Sequence, residues 1–275
     1  MLTCPRLCKE DLKTQLRAFD FVTDDIVMIH ASLRAVGPIL GGPDELINAL
    51  EEVLRDGTLM AYVGCQSPFD EIGRDVYSSE DEAFILKNAP VFDKYTARTQ
   101  RDFGSFAEFF RTHSKDVFVS DNVGGRMAAL GKRAQWLTAD HSLNYGLGKG
   151  SPLEKLYQEN GMVLLIGSDH DQITLMHYAE AIAPIENKTV LNLQVPLLRN
   201  GARTWVDIEE FDSSIGILPW PDERFFATIC DAFIEKNNIP SNKIGDAVSY
   251  LLPAHELVDF AVELMVETAK EIQHV

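Results

Sequence analysis

Apolar residues fall into two rhythms along the chain. Short unbroken runs, Ile26-Val27-Met28-Ile29, Thr58-Leu59-Met60-Ala61-Tyr62-Val63 and Met162-Val163-Leu164-Leu165-Ile166, read as buried strands. Elsewhere apolar residues recur at steps of three and four. Leu12, Leu16 and Phe19 mark a first amphipathic helix; Leu46, Ile47, Leu50, Val53 and Leu54 mark a second, with Pro43 suited to its first turn. Ile173, Met176, Ala179 and Ala183 predict another helix soon after the third run. Residues 103–111 read as a short helix capped by Ser105. Further helices are predicted over residues 132–137, 151–158, 221–236 and 253–270, and strands near 127–130, 190–195 and 204–208. Such alternation predicts an α/β layered fold with a central mixed sheet flanked by helices. No internal repeat or linker interrupts it, so residues 1–275 read as one domain.

Residues 66–102 break the rhythm. They are polar and acidic, with Asp70, Glu71, Asp75, Glu80, Asp81, Glu82, Asp93 and Asp102, and predict an irregular insertion. A functional lid and a solvated surface excursion fit this composition equally. The net charge of −17 argues against nucleic acid, which needs clustered Lys and Arg, and against an anionic membrane. It suits a polycationic ligand as well as plain solubility. Cys4, Cys8, Cys65 and Cys230 form no CxxC pair and read as reduced thiols. The chain lacks a signal-peptide pattern and any apolar run of membrane-spanning length, which predicts a cytoplasmic protein.

Chemistry concentrates in residues 167–180. Two of the seven histidines, His170 and His177, and the carboxylates Asp169, Asp171 and Glu180 follow a strand and open a helix. Ligands gather at the carboxyl ends of strands in open α/β sheets. His177 and Glu180 are three apart, so they share a helix face, and a carboxylate beside an imidazole is what a general base needs. A cap or packed core histidine is the competing reading. His170, Asp171 and His177 also supply metal-ligand atoms, without an HExxH motif or a usual spacing. A metal-dependent hydrolase built on these three, and a non-catalytic binder of a cationic ligand, therefore stand as alternatives. The loop from His30 to Gly42 carries Gly37, Gly41 and Gly42 and leads into a helix, where amides and Arg34 offer a weak anion site; an ordinary turn is the simpler reading. Cys65 ends a strand as either a nucleophile or a buried thiol, and Cys230 fits a helix core.

The stretch His30-Ala31-Ser32-Leu33-Arg34-Ala35-Val36-Gly37, followed by Gly41-Gly42, resembles the HSSLRAVG…GG element of the aminoglycoside N3-acetyltransferases, a family with its own α/β fold distinct from the GNAT acetyltransferases. The likeness continues through Phe103-Gly104-Ser105-Phe106-Ala107-Glu108, Gly148-Lys149-Gly150-Ser151-Pro152-Leu153 and Leu164-Leu165-Ile166-Gly167. It is strongest at Thr174-Leu175-Met176-His177-Tyr178-Ala179-Glu180, similar to the family's TxLHxAE, and extends to Glu209-Glu210-Phe211-Asp212. Ala31 replaces the second serine of HSSL, and Val119-Ser120-Asp121-Asn122-Val123 replaces a family RSxHP or RSxNP segment.

The resemblance implies acetyl transfer from acetyl-CoA to the 3-amino group of a 2-deoxystreptamine aminoglycoside, with antibiotic resistance as its outcome. It implies coenzyme A along His30, Ser32, Leu33, Arg34, Val36 and Gly37, with Ser105 and Phe106 on the other wall. It implies His177 as general base, oriented by Glu180, with His170 ranked behind it because that position varies in the family. Asp70, Glu71, Asn122, Thr174, Glu210 and Asp212 would then meet the polycationic substrate. No metal is implied, and a monomer and a homodimer are equally compatible.

Overall fold

The computed structural model describes residues 6–65, 71–212, 214 and 216–273. Among them seven strands form one mixed sheet. Its core is three parallel strands: β1 (Ile26–Ala31) lies between β2 (Thr58–Tyr62) and β5 (Met162–Ile166). Antiparallel strands extend both flanks. β4 (Met127–Gly131) and the short β3 (Phe118–Val119) add to β2, while β9 (Ala247–Pro253) and β8 (Asn242–Ile244) add to β5.

The apolar runs are continuous because both faces of these strands are covered. Ile26 and Met28 of β1 point into one core, with Val163 and Leu165 of β5. Val27 and Ile29 point into the other, with Leu164 and Ile166. The first core is closed by α6 (Ala134–Thr138), α7 (Pro152–Gln158), α8 (Leu175–Ile182), α9 (Phe225–Asn237) and α10 (Ala254–Gln273). The second is closed by α1 (Lys9–Leu16), α3 (Asp44–Leu54) and α5 (Ser105–Thr112). A fully buried Val, Leu, Ile or Met contributes ~1.5–3 kcal/mol over its exposed state, so these two cores supply the main driving force.

A separate antiparallel hairpin, β6 (Val190–Arg199) and β7 (Ala202–Phe211), stands off the main sheet. Its buried Leu193, Val195 and Ile208 pack on Cys65 and Val123, with Ile72, Ile85, Phe92 and Ala97 of the acidic excursion. That excursion is less irregular than its composition predicts. It holds a ten-residue helix, α4 (Ser79–Asn88), whose Ser78 caps the Asp81 amide at 3.2 Å. No residue of α4 is buried, so it leaves no apolar periodicity to read. The excursion is pinned from below by the buried Arg126, which donates to the carbonyls of Val63, Lys94 and Ala97 at 2.8–2.9 Å. At α5 the cap is Gly104, with φ 79°, and Ser105 is the first helical residue; only a left-handed backbone makes that entry, which glycine adopts without strain. Among the described residues no helix is long and apolar enough to cross a membrane.

Candidate active site

The chain winds away from β1 in both directions, to β2 on one side and β5 on the other, which opens a crevice beyond their carboxyl ends. The crevice is a cleft of about 1050 Å³. Its floor is His30 and Ala31 at the end of β1 with Ser32 just beyond, Tyr62 at the end of β2, and Gly167 and Ser168 after β5. The turn at Gly167 takes φ 58°, and a Cβ there would sit 2.6 Å from that of Ala35, so only glycine fits between strand and loop. Gly104, Phe106 and Ala107 at the start of α5 form one wall; Thr174 and His177 of α8 form another, with Trp220, Phe225 and Phe226 beside them.

A smaller lobe of about 230 Å³ adjoins it. It is lined by Glu71 and Arg74 of the excursion, Tyr145, Leu147 and Gly148, and by Glu210, Phe211 and Asp212 at the end of β7. His177 and Glu180 line both lobes, so they lie where the two meet.

His177 Nδ1 is 2.9 Å from Glu180 Oε2. Glu180 is 2% exposed, and its other oxygen accepts from Trp220 Nε1 at 2.8 Å and from the Ile217 amide at 3.4 Å. A carboxylate accepts only, so Nδ1 carries the proton and donates; this network assigns the basic lone pair to Nε2. The edge-to-face ring of Phe226, 4.9 Å away, limits rotation of the imidazole. His30 also faces the cleft, but burial lowers it to about 4, which keeps it neutral. Its Nε2 and the Ser168 hydroxyl are sealed from solvent and have no hydrogen-bond partner among the described residues. Buried groups of this kind cost free energy until a ligand satisfies them.

The expected residues divide. His30, Ser32, Phe106 and Thr174 line the larger lobe, and Glu71, Glu210 and Asp212 the smaller. Ser32 caps the four-residue α2 (Leu33–Val36), its hydroxyl accepting from the Ala35 amide at 3.3 Å. Leu33, Arg34, Val36 and Gly37 stay outside both linings: Val36 is buried in the second core, Arg34 is exposed, and Gly37 abuts Asp246. Ser105 is exposed beside the wall formed by Gly104 and Phe106. Asn122 is 1% exposed and lines neither lobe; its side chain donates to the carbonyls of Ser142 and Leu143 and accepts from the amide of Gly125, which lines the smaller one. His170 does not line the cleft either. Its Nδ1 meets Asp231 on α9 at 2.6 Å, and its ring edge meets Tyr250. Asp70 lies outside the described residues. Among the described residues, no three His, Cys, Asp or Glu side chains converge as a metal site. Cys65 is buried against the Val123 carbonyl, and burial pushes the Cys230 thiol up to about 12, so neither is poised as a nucleophile. Trp220, Phe226 and Tyr62 carry no motif in sequence; the isolated Pro219-Trp220-Pro221 is their only signal.

The sequence profile of the family described as Aminoglycoside 3-N-acetyltransferase matches residues 28–266. The chain belongs to the aminoglycoside 3-N-acetyltransferase family. An aminoglycoside N(3)-acetyltransferase III from Pseudomonas aeruginosa is 40% identical over 238 residues, covering 86% of this chain and 85% of that protein. Among solved structures, AAC-IIIb in a binary complex with CoASH has a TM-score of 0.88 at 34% identity, covering 94% of this chain and 96% of its own. AAC-VIa bound to sisomicin has a TM-score of 0.86 at 35% identity, covering 95% and 98%. The family's α/β fold, expected from the sequence motifs and distinct from GNAT, is therefore the fold of this chain.

Proposed function

We propose that the chain transfers acetyl from acetyl-CoA to the 3-amino group of a 2-deoxystreptamine aminoglycoside, with His177 as general base, and so confers resistance. The observation that carries this reading is the place of the His177–Glu180 pair, on the wall shared by a long cleft and a small acidic lobe. The long cleft suits an extended acyl carrier. The acidic lobe suits a polycation. Only at their junction does one imidazole reach both ligands. Solved relatives named for CoASH and for sisomicin complexes add independent support.

The chemistry follows from the pair. The substrate's neutral amine attacks the thioester carbonyl carbon. His177 Nε2 takes the proton that the nitrogen sheds, while Glu180 stabilises the imidazolium from Nδ1. The C–S bond then breaks, the thiolate takes a proton, and CoA thiol and the amide leave. No Lys or Arg is among the described lining residues of the larger lobe, so we assign the hold on CoA's phosphates to backbone amides at the α5 start and after β1. His170, bonded to Asp231, is given no part in catalysis, and the hydrolase alternative loses its third ligand with it.

Release of CoA thiol, followed with a disulfide colour reagent against aminoglycosides with and without a 3-amino group, tests the reading. Release only with 3-amino substrates, together with acetylated product by mass, is expected. No release with any of them would overturn it, and would leave the non-catalytic binder standing.

A further inference from the structure

We propose that Trp220 is a positioning residue: its indole N–H holds the Glu180 carboxylate against His177 and moderates the charge that the imidazole feels. The inference rests on the acetyl-transfer reading for the step that His177 performs, but it needs no ligand to be placed.

Glu180 is 2% exposed, so bulk water does not solvate its carboxylate. Each oxygen must then find a donor within the protein. Oε2 faces His177 Nδ1 at 2.9 Å. Oε1 has two donors, the Trp220 indole at 2.8 Å and the Ile217 amide at 3.4 Å. The first is a well-made bond; the second exceeds the usual 2.7–3.2 Å. An indole nitrogen only donates, so this bond has a single polarity. It pins Oε1 and thereby turns Oε2 towards the imidazole.

The indole is itself firmly seated. It stacks on Phe225, with centroids 4.6 Å and planes 28° apart. Pro219 and Pro221 flank it. The Trp220 amide donates to the Leu218 carbonyl at 2.8 Å, and the carbonyl of the buried Ile217 accepts from the Thr189 amide at 2.9 Å. Gly216 lies against the ring, where an added Cβ would sit 2.6 Å from the indole Cδ1. This seat fixes the indole plane, and the indole plane fixes the carboxylate.

The same bond sets how strongly the pair holds a proton. A donor on Oε1 draws off part of the carboxylate charge, so less remains to stabilise an imidazolium. Without that donor the pair takes up its proton at a higher pH, and less neutral imidazole is present to act as base. The surrounding charges are the same with or without the indole N–H. Lys188, whose Nζ donates to the Ala181 carbonyl at 2.8 Å, is attracted by Glu180 from the segment before the hairpin. Glu71, Arg74, Glu210 and Asp212 line the smaller lobe; His30, Asp102, Asp169, Asp171, Asp222 and Glu223 line the larger. A neutral change at position 220 removes none of them.

Two replacements separate the hydrogen bond from the packing. Trp220→Phe removes the N–H and part of the ring. Installing β-(3-benzothienyl)alanine at position 220 keeps the bicyclic shape that lines the larger lobe and removes the N–H alone. The pH profile of kcat, the KM of each substrate and the NMR titration of the His177 ring are measured for both and for the wild type. In the isostere protein, kcat on the alkaline plateau is expected to fall by about three- to thirtyfold, with each KM nearly unchanged. The acid limb of kcat and the ring titration are expected to move to higher pH by about half to one pH unit. Trp220→Phe should move them the same way. A fall in kcat with the limb and the ring titration unmoved would make Trp220 a packing residue and overturn the proposal. Wild-type kcat and limb in the isostere protein would overturn it equally. A shifted ring titration with no thiol release from any protein, the wild type included, would instead sustain the hold of Trp220 on the pair and remove acetyl transfer.

Discussion

The two lobes of the cleft are built by different means. The floor of the larger one is set by backbone. The Ser32 amide donates to the Ile166 carbonyl at 2.9 Å and the Gly167 amide to Val248 at 3.0 Å, so sheet register alone fixes the floor. The smaller one is held together by side chains from segments far apart in sequence. Glu210 accepts the Gly146 amide on both oxygens, at 2.9 and 2.8 Å, and the Tyr145 hydroxyl donates to Glu209 at 2.8 Å. A lobe set by register has little freedom to change without loss of the fold. A lobe set by long side chains can change its ligand preference one residue at a time. On the proposed reading, chemistry would sit on the first kind of scaffold and specificity on the second, with His177 lining both lobes.

That division is broken most sharply at the junction. His177→Ala is expected to lower kcat by 10²- to 10⁴-fold, roughly 3–5 kcal/mol of barrier, while acetyl-CoA binding by calorimetry is retained. Glu180→Gln is expected to fall within the same range. Its amide can donate to Nδ1, which moves the imidazole proton to Nε2 and removes the lone pair the reaction needs. Turnover at the wild-type rate in His177→Ala would take this residue out of the mechanism. Normal turnover in Glu180→Gln would mean that the carboxylate serves Trp220 and the fold alone.

The same division decides what could be read from the sequence. The larger lobe lies in contiguous motifs: the β1 and β5 runs, the glycine turn and the His177–Glu180 spacing are all local. Asn122 misled because a polar residue in a loop looks the same whether it meets a ligand or, as here, caps neighbouring carbonyls. His170 misled for a related reason, since its partner Asp231 is 61 positions away. β9 was hidden because its Leu251-Leu252-Pro253 runs straight into α10 and reads as a helix start. β6 and β7 were legible as strands, but nothing local says that, among the described residues, they pair only with each other. Arg74 and Trp220 enter the site through tertiary contacts and leave no periodic trace.

A smaller effect compares the lobes through acid. His30 lines the larger lobe, and His141, bonded to the Gly146 carbonyl at 2.7 Å, holds the loop beside the smaller. Burial lowers each from 6.5 to about 4. Below pH 6.5 the unfolded chain takes up protons that the folded chain refuses. Stability from these groups is therefore complete above pH 6.5 and declines as pH falls towards 4, by up to ~3 kcal/mol each. Urea midpoints measured across that window should fall with pH, and His30→Asn or His141→Asn should flatten the fall. A midpoint indifferent to pH in the wild type would mean that both imidazoles accept a proton in place.

The smallest effect sets the two ligands against each other through salt. The chain carries −17, and the larger lobe is lined by Asp102, Asp169, Asp171, Asp222 and Glu223. An anionic acyl carrier approaches against this field, and a polycation approaches along it. Exposed charges are screened over about 8 Å at physiological ionic strength. Added salt is thus expected to raise KM for a highly charged aminoglycoside by about two- to fivefold and to leave KM for acetyl-CoA unchanged or lower, with kcat little altered. The two carboxylates around Arg74 separate the contributions. Glu71 is 39% exposed and within reach of salt, so Glu71→Gln should flatten the aminoglycoside slope. Asp212 is 2% exposed and shielded from it, so Asp212→Asn should raise KM at every salt concentration and leave the slope as it was. If both KM values rose together, the field would be acting on the protein as a whole, and the acidic lobe would have no electrostatic preference of its own.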